Sequence, residues 1–140
     1  MTIMRRIEAV QPVLDGWLGR PFIWGENDCA HLCASVLFAM GHQDPLSDIG
    51  PYATQRGAKR QLKKAGYADL DEALDALGFE RIAPAMALPG DLVALEGEGG
   101  WTALGLAVGQ GRAVAFSCGQ CAWGPISDCK TAWRIPCLRP

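Results

Sequence analysis

Apolar residues recur at intervals of three and four in the first half of the chain, and this spacing predicts amphipathic helices. Pro12 should kink or split the first of them. Gly41 is placed to cap the second, Thr54 to begin the third, and Gly78 to close the fourth, whose start is acidic. The predicted helices span residues 3–18, 29–41, 54–65 and 69–78.

The second half of the chain changes to short apolar runs bounded by glycine and proline, which predicts strands. A turn at Gly109-Gln110-Gly111 should join two of these runs as a hairpin. Helices first and strands afterwards predict an α+β class, and 140 residues suit one domain over 1–140. The predicted strands span residues 92–95, 104–109, 112–117 and 131–135.

Composition excludes some classes of function. The chain is 49% hydrophobic and 20% charged, as in an ordinary globular protein with a core. Its net charge of −2 gives no argument for direct nucleic-acid binding, and its apolar runs are too short for membrane insertion. Residues 1–7 hold two arginines but no long apolar region or cleavage site, so we expect an unexported, mature N-terminus.

The predicted helix 54–65 carries five cations on one face. We interpret them as a solvated surface, with a docking surface for an acidic partner as the alternative. The aromatic residues Trp24, Trp101, Trp123, Trp133 and Phe116 are expected to lie in the core or along a groove.

Cys29 is the chief chemical candidate. It follows Trp24-Gly25-Glu26-Asn27-Asp28 and opens the apolar helix 29–41. In that position a thiolate is stabilised by unpaired backbone N–H groups and by the positive end of the helix dipole. Asp28 is a natural N-cap acceptor. The remaining requirement of a thiol protease is a base within hydrogen-bond reach.

The chain offers only two histidines as that base. His31 is two residues after Cys29, which on a helix places it on roughly the opposite side. His42 lies past the end of the helix, nearly 20 Å from Cys29 at about 1.5 Å per residue. Neither histidine fits as the base within one monomer. Asp28, Glu26 or Ser117 could approach, but a carboxylate near a thiolate raises the thiol pKa.

Three segments together resemble the NlpC/P60 cysteine peptidases. They are Trp24-Gly25-x-x-Asp28-Cys29, then Pro89-Gly90-Asp91-Leu92-Val93, then the hairpin around 104–117. The resemblance implies a papain-like fold, in which N-terminal helices pack on a C-terminal antiparallel β-sheet. More narrowly, segments 103–109 and 131–135 make the chain similar to small phage and prophage proteins of NlpC/P60 type.

The resemblance also implies a degenerate site. In active members a histidine begins the second strand, and the matching position here is Ala103. A third polar residue on the next strand corresponds to Ala115. Alanine can neither take the thiol proton nor orient an imidazole. Cys29 and Asp28 are therefore interpreted as remnants of a catalytic site, with unusual or in-trans catalysis as the alternative.

Four of the six cysteines lie close together near the C-terminus, at Cys118, Cys121, Cys129 and Cys137. The Cys-x-x-Cys pair suits a zinc or iron–sulfur site, because two thiolates can reach one metal from a tight turn. The wide later spacing does not match a zinc ribbon. We expect unligated thiols and no cofactor, with a zinc or iron–sulfur site and a Cys118–Cys121 disulfide as alternatives.

Two functions follow as expectations from the resemblance. The first is a structural or assembly component of a phage tail, at the tail tip or baseplate hub. It would be made in the host cytoplasm, reside in the virion and bind other tail proteins, with contact to peptidoglycan left open. The second is a cysteine peptidase or amidase that cuts peptidoglycan stem peptides with Cys29 as the nucleophile, its base coming from an unrecognised group or another subunit.

Overall fold

The computed structural model describes residues 3–43, 46 and 49–139. Within these residues, four α-helices come before a six-stranded antiparallel sheet, so the predicted α+β class is confirmed. The helices are α1 (Ile3–Trp17), α2 (Cys29–Ala39), α3 (Gln55–Lys64) and α4 (Leu70–Ala76). The strands are β1 (Glu80–Ile82), β2 (Leu92–Glu96), β3 (Thr102–Gly109), β4 (Arg112–Ser117), β5 (Gln120–Pro125) and β6 (Thr131–Arg134). Their order across the sheet is β1-β6-β2-β3-β4-β5.

Three of the helices begin where a short polar side chain caps them. Asp28, Thr54 and Asp69 each accept a hydrogen bond from the backbone N–H three residues later. This contact satisfies one of the donors that a helix leaves free at its start. The predicted start of α3 at Thr54 and the acidic start of α4 are therefore confirmed.

Pro12 does not split α1 as its position suggested. The helix runs unbroken from Ile3 to Trp17. Proline removes one hydrogen bond to the carbonyl four residues earlier. Pro12 and Glu8 both lie on the exposed side of α1, where water can satisfy that carbonyl. The buried face, with Val10, Leu14 and Trp17, is left intact.

The helices cover one face of the sheet. Side chains alternate between the two faces along a strand, and Leu92, Ala94, Leu104 and Leu106 point toward the helices. A second, smaller cluster lies on the other face, beneath the turns of 3-10 helix at Pro84–Met86 and Ile126–Asp128. Its buried members are Val93, Ala107, Ala113, Cys129 and Ala132. No helix of the described ranges is long and apolar enough to cross a membrane.

A buried ion pair joins α1 to the sheet. The Arg6 guanidinium lies 2.6 Å from the Asp91 carboxylate, and it also donates to the carbonyls of Pro89 and Ile135. Asp91 accepts a further bond from Arg134 at 2.9 Å. Burial lowers the pKa of Arg6, and the charge of Asp91 opposes that effect. The Pro89-Gly90-Asp91 motif thus fixes the first helix against the start of β2.

Candidate functional site

The Asp28 carboxylate is the organising group of the candidate site. One oxygen accepts from the backbone N–H of His31 at 3.0 Å and lies 2.7 Å from His31 Nδ1. The other accepts from the Tyr52 hydroxyl at 2.7 Å and from the N–H of Gly25 at 2.9 Å. Burial alone would raise the pKa of Asp28, but these hydrogen bonds outweigh it and hold the pKa below its usual value. Asp28 therefore fixes the start of α2 and has no free oxygen for catalysis.

Cys29 opens α2 as predicted, but its thiol is not activated. The side chain is 8% exposed. Burial raises the pKa of Cys29 to about 11, and the Asp28 carboxylate adds to that rise. Backbone N–H groups of Leu104, Ala30 and Cys29 itself act in the opposite direction. The expected stabilisation at a helix N-terminus is present, but desolvation is the larger effect.

The thiol lies at one end of a groove of about 840 Å³. The groove starts beside Cys29, near the beginning of β3 and the end of β4, and continues over the sheet face that the helices leave uncovered. Alanine side chains and glycine backbone form most of its floor, and aromatic rings line its sides. The members used below are Phe22, Trp24, Glu96, Trp101, Ala103, Ala113, Ala115, Ala122, Trp123, Gly124 and Asp128.

Ala103 and Ala115 lie in the same groove as Cys29, as the motif comparison predicted. The backbone N–H of Leu104, the residue after Ala103, lowers the pKa of the thiol, so the start of β3 is near the sulfur. A side chain at position 103 would enter the groove that the sulfur lines. No histidine lines the groove. The structure brings Cys29 and both alanine positions together, and no histidine of the described residues joins them.

The two histidines are engaged elsewhere. His31 Nδ1 is held by Asp28, and its ring lies near the ring of Tyr52, with centroids 6.1 Å apart. His42 Nε2 lies 2.6 Å from the carbonyl oxygen of Pro136, and its ring packs edge-on against Phe79. Neither lines the groove, which agrees with the helical argument from the sequence.

Tyr52 was missed by the sequence analysis. Its hydroxyl donates to Asp28, and its backbone oxygen lies so close to Gly25 that a Cβ there would sit 1.9 Å away. Gly25 also has a positive φ of 82°. The glycine of the Trp-Gly-x-x-Asp-Cys motif is thus required by the close approach of the 49–53 segment. Together with Trp24 and Trp101, Tyr52 encloses a small cavity of about 30 Å³ on the other side of Cys29.

The C-terminal cysteines do not converge. Cys121 lies in the core on the helix side of the sheet, whereas Cys129 lies in the cluster on the opposite face. Cys118 is exposed at the β4–β5 turn, and Cys137 packs at the edge of the main core. All six cysteines are free, and no group of three or more ligating side chains in the described ranges could hold a metal. The four-cysteine metal alternative therefore has no geometric support, because the sheet separates its sulfurs.

The sequence from residue 4 to residue 135 matches the model of a family described as "Domain of unknown function (DUF6950)". The chain belongs to the DUF6950 family. No curated protein matches it. The match extends from α1 through the last strand, so Cys29, Asp28 and the whole groove lie inside the DUF6950 domain.

Alkylation should separate the thiols of this DUF6950 domain by their surroundings. A pKa of about 11, against an ordinary value of 9.0, makes Cys29 about 100-fold slower to alkylate at pH 8 on ionisation alone. Exposed Cys118 should react first. Iodoacetamide labelling from pH 6 to 11, read by peptide mass spectrometry, measures each site. In urea the cysteines should react alike, and a Cys29 that titrates below pH 7 would contradict the assignment.

Proposed function

We propose that the chain is a structural or assembly component of a phage tail, at the tail tip or baseplate hub, built on an inactive NlpC/P60-like domain. The observation that carries the proposal is the pairing of a protonated, buried Cys29 thiol with alanines at positions 103 and 115 in one open groove. Such a groove has room for a bound molecule, but at positions 103 and 115 it lacks the side chains that would take the thiol proton and orient the group that takes it. The tail setting rests on the sequence resemblance to small phage proteins.

The proposal implies partners and a place. Other tail or hub proteins would bind the domain, which would be made in the host cytoplasm and end in the virion. Neither nucleic acid nor membrane is needed for that role. Contact with peptidoglycan is left open, since a tail tip meets the cell wall during infection.

A cysteine peptidase or amidase acting on peptidoglycan stem peptides is the second candidate. It is favoured by one feature of the site: the backbone N–H groups of Cys29, Ala30 and Leu104 lie near enough to the thiol to lower its pKa against the effect of burial. Donors in that position are suited to stabilise a thiolate or the oxyanion of an acyl intermediate. In this reading the base comes from a second subunit or a partner.

Complementation separates the two candidates. The gene is deleted from the strain or phage that carries it, and the deletion is complemented with wild type, Cys29→Ser or Ala122→Trp. The new tryptophan fills the groove, because Ala122 is half-buried in its lining. We expect the chain in purified particles, infectivity within about twofold of wild type for Cys29→Ser, and defective tails for Ala122→Trp. Circular dichroism confirms that both variants fold.

Other results would count against assembly. Intact particles that fail to infect with Cys29→Ser would support the peptidase. Absence of the chain from purified particles, judged by mass spectrometry, would remove the tail proposal.

A further inference from the structure

The charged side chains that line the groove are acidic. Among the described residues that line it, Glu96 and Asp128 are the charged ones, and both are exposed carboxylates. Neither forms a hydrogen bond or ion pair with a side chain of the described residues. No lysine, arginine or histidine lines the groove to balance them. A bound molecule with positive charge would meet these two carboxylates, neither of which is neutralised by a side chain of the described residues.

The aromatic rings of the groove already bind cations from outside it. The Arg112 guanidinium lies 4.6 Å from the ring centre of Trp123, and the Lys59 ammonium lies 5.3 Å from that of Trp101. These distances are those of cation–π contacts. One face of each of these two indoles is therefore occupied by a cation of the chain itself, and the carboxylates are left as the groups that attract a cation of the bound molecule.

The floor of the groove suits an extended chain. Ala113 and Ala115 on β4 face the same way as Ala122 and Gly124 on β5, because they are direct cross-strand partners. Ala122 and Gly124 are half-buried whereas Ala113 and Ala115 are buried, so the accessible part of the apolar floor follows β5, where a polypeptide can lie along the strand. A glycan would need a dense set of hydrogen-bond donors and acceptors, and the alanines and glycines of the floor carry no polar side-chain atom.

We propose that the groove binds an extended, lysine- or arginine-bearing segment of a partner protein. Glu96 and Asp128 pair with its cations, and its apolar side chains lie on the alanine floor. The inference rests on the proposed assembly function and states the chemistry of the partner that this function requires. The volume of the groove, about 840 Å³, is in the range that holds a short peptide segment.

A displayed library of random linear heptapeptides, selected on the full chain, tests this directly. We expect Lys and Arg to be enriched at least about threefold among binders to wild type. The enrichment should disappear with Glu96→Gln/Asp128→Asn, and binding should be lost with Ala122→Trp. The double variant Glu8→Gln/Asp15→Asn on exposed positions of α1 makes the same change in net charge and should bind like wild type.

A selected peptide, made synthetically, then gives affinities by calorimetry. We expect binding at least tenfold weaker for Glu96→Gln/Asp128→Asn than for the α1 double variant, and weaker binding at high salt. Enrichment of acidic residues, equal recovery on Ala122→Trp, or no binders at all would overturn the proposal. Binding of chitotriose with loss on Ala122→Trp would also overturn it, in favour of a glycan.

The assembly function and the cation preference of the groove can be refuted independently of each other. A peptidase result in the complementation experiment would remove the assembly function while leaving the cation preference of the groove measurable. Loss of that preference with intact tail assembly would remove only the inference.

Discussion

Replacing Asp91 with alanine is expected to lower the free energy of unfolding by about 3–5 kcal/mol, because a buried guanidinium then loses its counter-charge. The side chains of Arg6 and Asp91 are 1% and 0% exposed. Asp91 also accepts from the N–H groups of Leu88 and Ile135, which would lose their acceptor. Domains of this size are stable by only about 5–15 kcal/mol, so the loss is a large share. Urea unfolding, followed by tryptophan fluorescence, measures it.

Two further variants show whether burial is the cause. Arg6→Met removes the buried cation but leaves Asp91 paired with Arg134 and the backbone, so a smaller loss is expected. Arg81→Ala breaks the exposed pair with Asp75 and should cost less than about 1 kcal/mol. If Asp91→Ala costs no more than Arg81→Ala, the buried network does not hold α1 to the sheet.

Elements governed by local chemistry could be predicted from the sequence. The start of α3 at Thr54 follows from a side chain that caps its own next turn, and the 112–117 strand and the turn before it follow from a short apolar run and two glycines. The Asp28 cap belongs to the same class. These contacts join residues a few positions apart, so the sequence pattern contains them.

Contacts between distant segments could not be predicted. Arg6 and Asp91 are 85 residues apart, and nothing near either one marks the other as its partner. The same holds for Tyr52, which reaches Asp28 across 24 residues. Both arrangements depend on how helices pack on the sheet, and packing is decided by the whole core.

Strand β5 was missed for a different reason. The Cys-x-x-Cys spacing was interpreted as a possible pair of metal ligands, yet Cys118 and Gly119 form the turn between β4 and β5. Both have positive φ, at 52° and 82°, as a two-residue hairpin turn requires. Asparagine is the usual residue before the glycine, and its absence hid the hairpin. Cys121 then points into the core as an ordinary small apolar side chain.

The candidate site was half predictable. The motif located Cys29, Ala103 and Ala115, and the structure brings all three to one groove. Glu96 and Asp128 were not predicted as site residues, because no motif in the sequence around either one indicates a site. Their common position depends on which sheet face the helices leave open. The alanines at positions 103 and 115 could therefore be predicted to lie near Cys29 from the sequence, whereas the charge of the groove could not.

Placing an imidazole at position 103 should lower the pKa of the Cys29 thiol and raise its reactivity. In Ala103→His, we expect alkylation of Cys29 at pH 7 to rise at least about 100-fold over wild type. A protonated imidazole next to the sulfur stabilises the thiolate, as an opposite charge within a few ångströms does, and so lowers the thiol pKa from about 11. The N–H groups of Leu104, Ala30 and Cys29 already face the sulfur and add to the effect. Initial rates of iodoacetamide labelling at the Cys29 peptide provide the measurement.

The matched control is Ala103→Gln, which adds a polar side chain of similar length but cannot take a proton. Any gain in rate from loosened packing around the thiol should appear in both variants. A gain specific to histidine should follow a titration curve with a new midpoint well below the one for wild type. Equal rates in the two variants would mean that residue 103 does not reach the thiol, and the argument for a vacated dyad would lose its geometric basis. A histidine-specific gain would show that one side chain separates this groove from an activated nucleophile.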